Sequence, residues 1–114
     1  MSRVEEVAKL AIKSFEAQEK GNTRASDRYN LSMKKVIVDM YENGEIGSLK
    51  PLMYYNHDAV RCEVAIKLLP FFTEEAESIL EELAQKRGNL IYATAKTTLE
   101  EWRKGNIKFS YYKK

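Results

Sequence analysis

A chain of 114 residues with one histidine and one cysteine offers little material for catalysis. His57 and Cys62 stand five positions apart, which pairs a base with a nucleophile on paper. Such a pair needs an orienting third group and an available thiolate, and the flanking sequence supplies no such group. His57 is read instead as part of a turn, and Cys62 as an unreactive helical side chain. Asp58 and Arg61 suit either an ion pair or a ligand site, but helix capping already accounts for Asp58. The cluster Glu74, Glu75, Glu77, Glu81 and Glu82 reads first as a solvated helix face. Its functional reading is a surface complementary to a basic protein, whose association such carboxylates accelerate. Glu100 and Glu101 extend that negative surface if the last two helices stack.

The tail Asn106–Lys114, NIKFSYYKK, sets Phe109, Tyr111 and Tyr112 beside Lys108, Lys113 and Lys114. Aromatic side chains of this kind favour protein interfaces, and with lysines they also suit bases and phosphates. The preferred reading has the tail covering the exposed end of a helical stack. Tyr54, Tyr55 and Tyr92 form a second candidate aromatic surface. Phosphate-binding glycine loops, H-E-x-x-H and C-x-x-C are all missing. The expectation is therefore a non-enzyme with no cofactor and no metal site.

The elements that position these residues are helices. Five glycines and two prolines are few breakers for a chain that is 32% charged and 44% hydrophobic. Ser2 and Glu5 fit a capping box ahead of a helix from Arg3 to Lys20. A second helix is predicted from Thr23 to Asn43, with Met33, Ile37 and Met40 on its apolar face, although residues 22–28 are polar on every side. A short helix, Leu49–Tyr55, is capped by Ser48 and tolerates Pro51 in its first turn. Asp58 caps a fourth, which Pro70 ends. Thr73 opens a fifth, stopped at Gly88. Asn89 caps a sixth, which carries Ile91, Ala95, Leu99 and Trp102 before Gly105.

Charge and compartment narrow the setting. The net charge is +2, yet residues 105–114 hold three basic side chains and no acidic one. No segment has the concentrated basic excess of a dedicated nucleic-acid binder. One cysteine excludes an internal disulfide framework and suits a reducing compartment. No apolar run approaches the length of a membrane span, and the acidic N-terminus does not read as a signal peptide. A cytoplasmic protein is expected.

Periodicity decides between a bundle and a stack. An offset of 31 residues places Leu49 on Leu80, Val60 on Ile91, Val64 on Ala95 and Leu68 on Leu99. The reverse offset places Tyr29, Met33, Ile37 and Met40 on Val60, Val64, Leu68 and Phe71. Helix pairs with unpaired apolar stripes must stack on one another, as in a solenoid. The predicted fold is all-α, a short right-handed α-solenoid of about three helix pairs over residues 1–105, followed by the 106–114 tail.

The stretch LKPLMYYNHDAVRCEVAIKLL resembles a HEAT-type repeat, with Asp58, Val60, Arg61 and Ala65 carrying the match. Together with TTLEEWRKG, residues 5–105 are similar to a small bacterial family of HEAT-like fold and unknown function. The resemblance implies a scaffold that binds macromolecules, most concretely an immunity protein occluding a cognate toxin. It also implies that Asp58 and Arg61 support the inter-helix turn and the neighbouring repeat. The expected contact residues are Glu63, Lys67, Tyr92 and Lys96 on the second helices. Glu74, Glu77 and Glu81, then Phe109, Tyr111 and Tyr112, complete the set. A homodimer would also close an open apolar edge. Nucleic-acid binding is the alternative function, and the near-neutral charge counts against it.

Overall fold

Ser2 begins the first helix as expected. Its hydroxyl accepts the Glu5 amide, and the Glu5 carboxylate accepts the Ser2 amide, so two otherwise orphaned donors are satisfied. The computed structural model describes residues 2–88 and 90–112. They form helices α1 (Arg3–Glu19), α2 (Thr23–Glu42), α3 (Asp58–Leu68), α4 (Thr73–Leu83) and α5 (Leu90–Arg103). A 3-10 segment, Ile46–Tyr54, joins α2 to α3. The fold is all-helical, with no strand among the described residues. No described helix is long and apolar enough to cross a membrane. The predicted Asn89 cap and the lysines at 113 and 114 lie outside the described residues.

Three local expectations need correction. Ile46–Tyr54 is a 3-10 segment with no side-chain cap from Ser48. Its ends close tighter i→i−3 turns instead, with the Ser48 amide donating to the Glu45 carbonyl at 3.0 Å and the Tyr55 amide to the Leu52 carbonyl at 3.2 Å. The cap of α3 is His57, whose Nδ1 accepts the Ala59 amide at 3.2 Å; Asp58 is the first helical residue. Helix α4 ends at Leu83 with Ala84 as its C-cap, well before Gly88, although Gly88 does take a positive φ of 103° in the following turn.

The polar start of α2 also has a structural role. Asn22 Oδ1 accepts the Ala25 amide at 3.1 Å and caps the helix. One turn later Ser26 is fully buried against Ser14 of α1, with the hydroxyl oxygens 2.9 Å apart. Ser14 donates to Asn30 Oδ1 at 3.0 Å, so this polar contact is satisfied inside the interface.

One continuous core joins every element. Met33, Ile37 and Met40 from α2 share one buried cluster with Leu49 and Met53 from the 3-10 segment and Val60, Val64 and Leu68 from α3. Ile79, Leu80 and Leu83 of α4 and Ile91, Ala95 and Leu99 of α5 extend it. Helix α1 packs on α2, on α3 and on the 3-10 segment, while α3 also packs on α4 and α5. Helix α3 is therefore the central element. Its alanines, Ala59 and Ala65, are buried and let neighbouring backbones approach. The extents are 37 × 31 × 25 Å.

Candidate protein-binding surfaces

The His57–Cys62 pair is dismantled by its surroundings. His57 Nδ1 is used as the helix cap, and its ring meets Phe15 edge-on at 6.0 Å. Cys62 is 2% exposed, and burial pushes its thiol far above the ordinary range. The space beside it is about 20 Å³, room for one water and no substrate. A buried neutral thiol is a poor nucleophile. Among the described residues, no group of three or more His, Cys, Asp or Glu side chains is placed to hold a metal ion.

Asp58 and Arg61 work as a fastening. The Arg61 side chain is mostly buried, and its Nε donates to the Met53 carbonyl at 3.1 Å. Its Nη1 reaches Asp58 at 3.5 Å and its Nη2 reaches Glu82 at 2.9 Å. One guanidinium thus ties the end of the 3-10 segment and the first turn of α3 to α4. Lys86 adds a second cation to Asp58 at 3.1 Å.

The acidic cluster is largely spent inside the fold. Glu75 accepts from the Tyr54 hydroxyl and pairs with Lys50 at 3.3 Å. That hydrogen bond holds the Glu75 carboxyl below its usual range and raises the Tyr54 phenol. Glu77 accepts from Trp102 Nε1 at 2.8 Å and lies 3.6 Å from Arg103, which also pairs with Glu81. Glu82 belongs to Arg61. Glu74 is exposed, with no such partner among the described residues. The cluster fastens α4 to its neighbours on three sides, so little of its charge stands unpaired.

The outer side of α3 carries Glu63 and Lys67, which pair at 3.7 Å. It is covered by the C-terminal tail. Leu68 accepts the amides of both Phe71 and Phe72, and Pro70 has no amide, so the Lys67 carbonyl has no donor from the following turn. The Tyr112 hydroxyl fills that place, donating to the Lys67 carbonyl at 3.0 Å. The Tyr112 ring lies 5.0 Å from Tyr41 of α2, 4.8 Å from Phe71 and 5.9 Å from Phe109. Phe109 meets Trp102 of α5 at 6.0 Å. Tyr111 sits under Lys34 of α2, and burial together with Glu63 pushes its phenol up to about 12. The tail therefore spans α5, α3 and α2. Phe109, Tyr111, Tyr112, Glu63 and Lys67 are brought together, but with one another. Tyr92 and Lys96 lie elsewhere on α5, the ammonium 6.0 Å from the ring centre.

A different surface stays open, and the sequence reading missed it. Along α1, Val4, Ala8 and Ile12 face Leu52 and Tyr55 of the 3-10 region across a groove of about 520 Å³. Ala8 and Leu52 are its floor, Val4 and Ile12 are half-buried, and Tyr55 stands exposed at the wall. Glu5, Lys9, Lys13 and Glu16 line the α1 side as a charged row. The chain carries a signal for it, since Val4 and Ile12 flank the buried Val7, Ala8 and Ala11 and make the apolar stripe of α1 wider than one contact needs. Without knowing that Ile46–Tyr54 is a 3-10 segment, the stripe's neighbour could not be placed.

Comparison with protein-family models, with curated proteins and with solved structures finds no match.

Proposed function

We propose that this chain is a non-catalytic protein-binding module, built as a short α-solenoid of three HEAT-like helix pairs, and that it neutralises a bacterial toxin as an immunity protein. The open apolar groove between α1 and the 3-10 region carries this reading, because concave apolar surfaces with a charged border suit macromolecular partners. The fate of the reactive groups supports it. Cys62 is buried, His57 is a cap, and most of the acidic cluster is consumed in fastening α4. The helix pairs follow chain order: α1 packs with α2, the 3-10 segment with α3, and α4 with α5. The action is steric occlusion, without turnover.

The test is co-expression with the product of the adjacent gene, since toxin and immunity genes sit together. The expected outcome is a stable complex recovered on an affinity-tagged chain, and rescue of cells from that neighbour's toxicity. A neighbour that is harmless and does not bind would remove the immunity reading.

A further inference from the structure

The charged row on α1 has an unusual order. Glu5, Lys9, Lys13 and Glu16 run acidic, basic, basic, acidic along one edge of the groove. They span eleven positions, roughly 16 Å of helix at 1.5 Å per residue, or about three turns. Lys9 and Glu16 are exposed and have no ion pair among the described residues, while the half-buried Lys13 lies 5.8 Å from the Tyr29 ring centre and Glu5 accepts the Ser2 amide. The opposite wall, Tyr55, carries no charge. A ligand in this groove meets an apolar floor and one patterned edge.

That order discriminates between occupants. A second copy approaching through α1 sets like against like in either direction. Antiparallel pairing opposes Glu5 to Glu16 and Lys9 to Lys13, and parallel pairing opposes each residue to itself. Like charges placed directly across an interface disfavour it. A helix from another protein, with an apolar stripe flanked by a basic, acidic, acidic, basic row, meets opposite charge at all four positions. Amphipathic helices commonly bind by laying an apolar face into such a groove. The row's symmetry makes the match independent of helix direction.

We infer that the α1 groove receives an amphipathic helix of a different protein, selected by a central acidic pair with basic flanks. The inference rests on reading the chain as a protein-binding module and names the partner chemistry of its groove.

Two synthetic helical peptides of about four turns test it. Both carry the same leucine stripe. One bears the Lys-Glu-Glu-Lys row, and the other bears Glu-Lys-Lys-Glu, which mimics this chain's own α1. Fluorescence anisotropy at low salt should show the first binding the full chain at least tenfold more tightly. Lys9→Glu/Lys13→Glu, two surface changes whose folding is checked by circular dichroism, should abolish that preference. Equal affinities, no binding by either peptide, or a preference that survives the double substitution would each overturn the inference. So would a dimer in sedimentation equilibrium that dissociates on Lys9→Glu/Lys13→Glu. The two proposals fail separately. A neighbour-encoded partner still captured by the double variant would leave the module standing and remove the groove. Peptide discrimination without a toxic neighbour would keep the groove and remove the immunity role.

Discussion

The molecule treats two apolar surfaces in opposite ways. The outer side of α3, between α2 and α5, is sealed by Phe109, Tyr111 and Tyr112 of the chain's own tail. The groove between α1 and the 3-10 region is left open. The two sides differ in polarity. On the sealed side the Phe71 amide, the α-helical donor for the Lys67 carbonyl, turns to Leu68 instead, Pro70 has no amide to replace it, and an orphaned backbone group in an apolar setting is costly. Tyr112 brings both a ring for the aromatic cluster and a hydroxyl for that carbonyl. In the groove the half-buried Val4 and Ile12 and the exposed Tyr55 present apolar side chains over a buried floor. Leaving them in water costs only apolar exposure, a cost that a partner can recover on binding.

The largest effect should come from breaking the seal. Tyr112→Ala removes the ring from contact with Tyr41, Phe71 and Phe109 and also removes the hydroxyl. Truncation of a buried aromatic costs about 3–5 kcal/mol; Tyr112 is half-buried, so about 2–3 kcal/mol is expected in urea unfolding. Tyr112→Phe keeps the ring and loses only the hydrogen bond, at about 1 kcal/mol. Should both variants stay within about 0.5 kcal/mol of the parent, a level usual for plain surface changes, the tail contributes no seal.

Alkali probes the same side without mutation. Burial and Glu63 raise the Tyr111 phenol to about 12 in the folded chain, against its ordinary value of 10.0. Burial and Tyr111 raise Tyr112 as well. The folded state holds these protons more tightly than the unfolded state does. Their stabilisation is therefore fully present below about pH 10 and is lost as the pH rises through about 12. Phenolate absorbance should show tyrosines titrating late, with the fluorescence of Trp102, which touches Phe109, changing over the same interval. A Trp102 signal that changes fully below pH 10 would show that the tail does not hold these phenols.

How much of this was legible in the sequence depends on whether a signal is local. The α1 capping box, the apolar stripe of α4 and the Pro70 stop depend on neighbours within a turn or two, and each is visible in the chain. His57 displaced Asp58 as a cap because either side chain can accept an amide there, and only the backbone decides which one is reached. The acidic helix looked like a free surface because its partners, Lys50, Arg61 and Arg103, lie 21 to 26 residues away. The burial of Ser26 in the polar start of α2 is hidden for the same reason, with Ser14 a whole helix earlier. The groove was the hardest feature to foresee. It requires two elements to stand apart, and sequence patterns report which residues are apolar rather than which remain uncovered.

The smallest structural effect belongs to the open side, and its smallness is informative. Tyr55 is 39% exposed at the groove wall. Tyr55→Ser leaves its backbone donation to the Leu52 carbonyl intact and removes only the ring. Exposed substitutions of this kind usually change stability by no more than about 0.5 kcal/mol, so the unfolding midpoint should barely move. Affinity for the matched helical peptide should nevertheless fall several-fold, because a wall aromatic contributes contact area only when the groove is filled. Measured side by side, Tyr112→Ala and Tyr55→Ser separate an aromatic that completes the fold from one that waits for a partner. If Tyr55→Ser destabilises as strongly as Tyr112→Ala, the α1 groove is part of the folded core, and the distinction between a sealed side and an open side collapses.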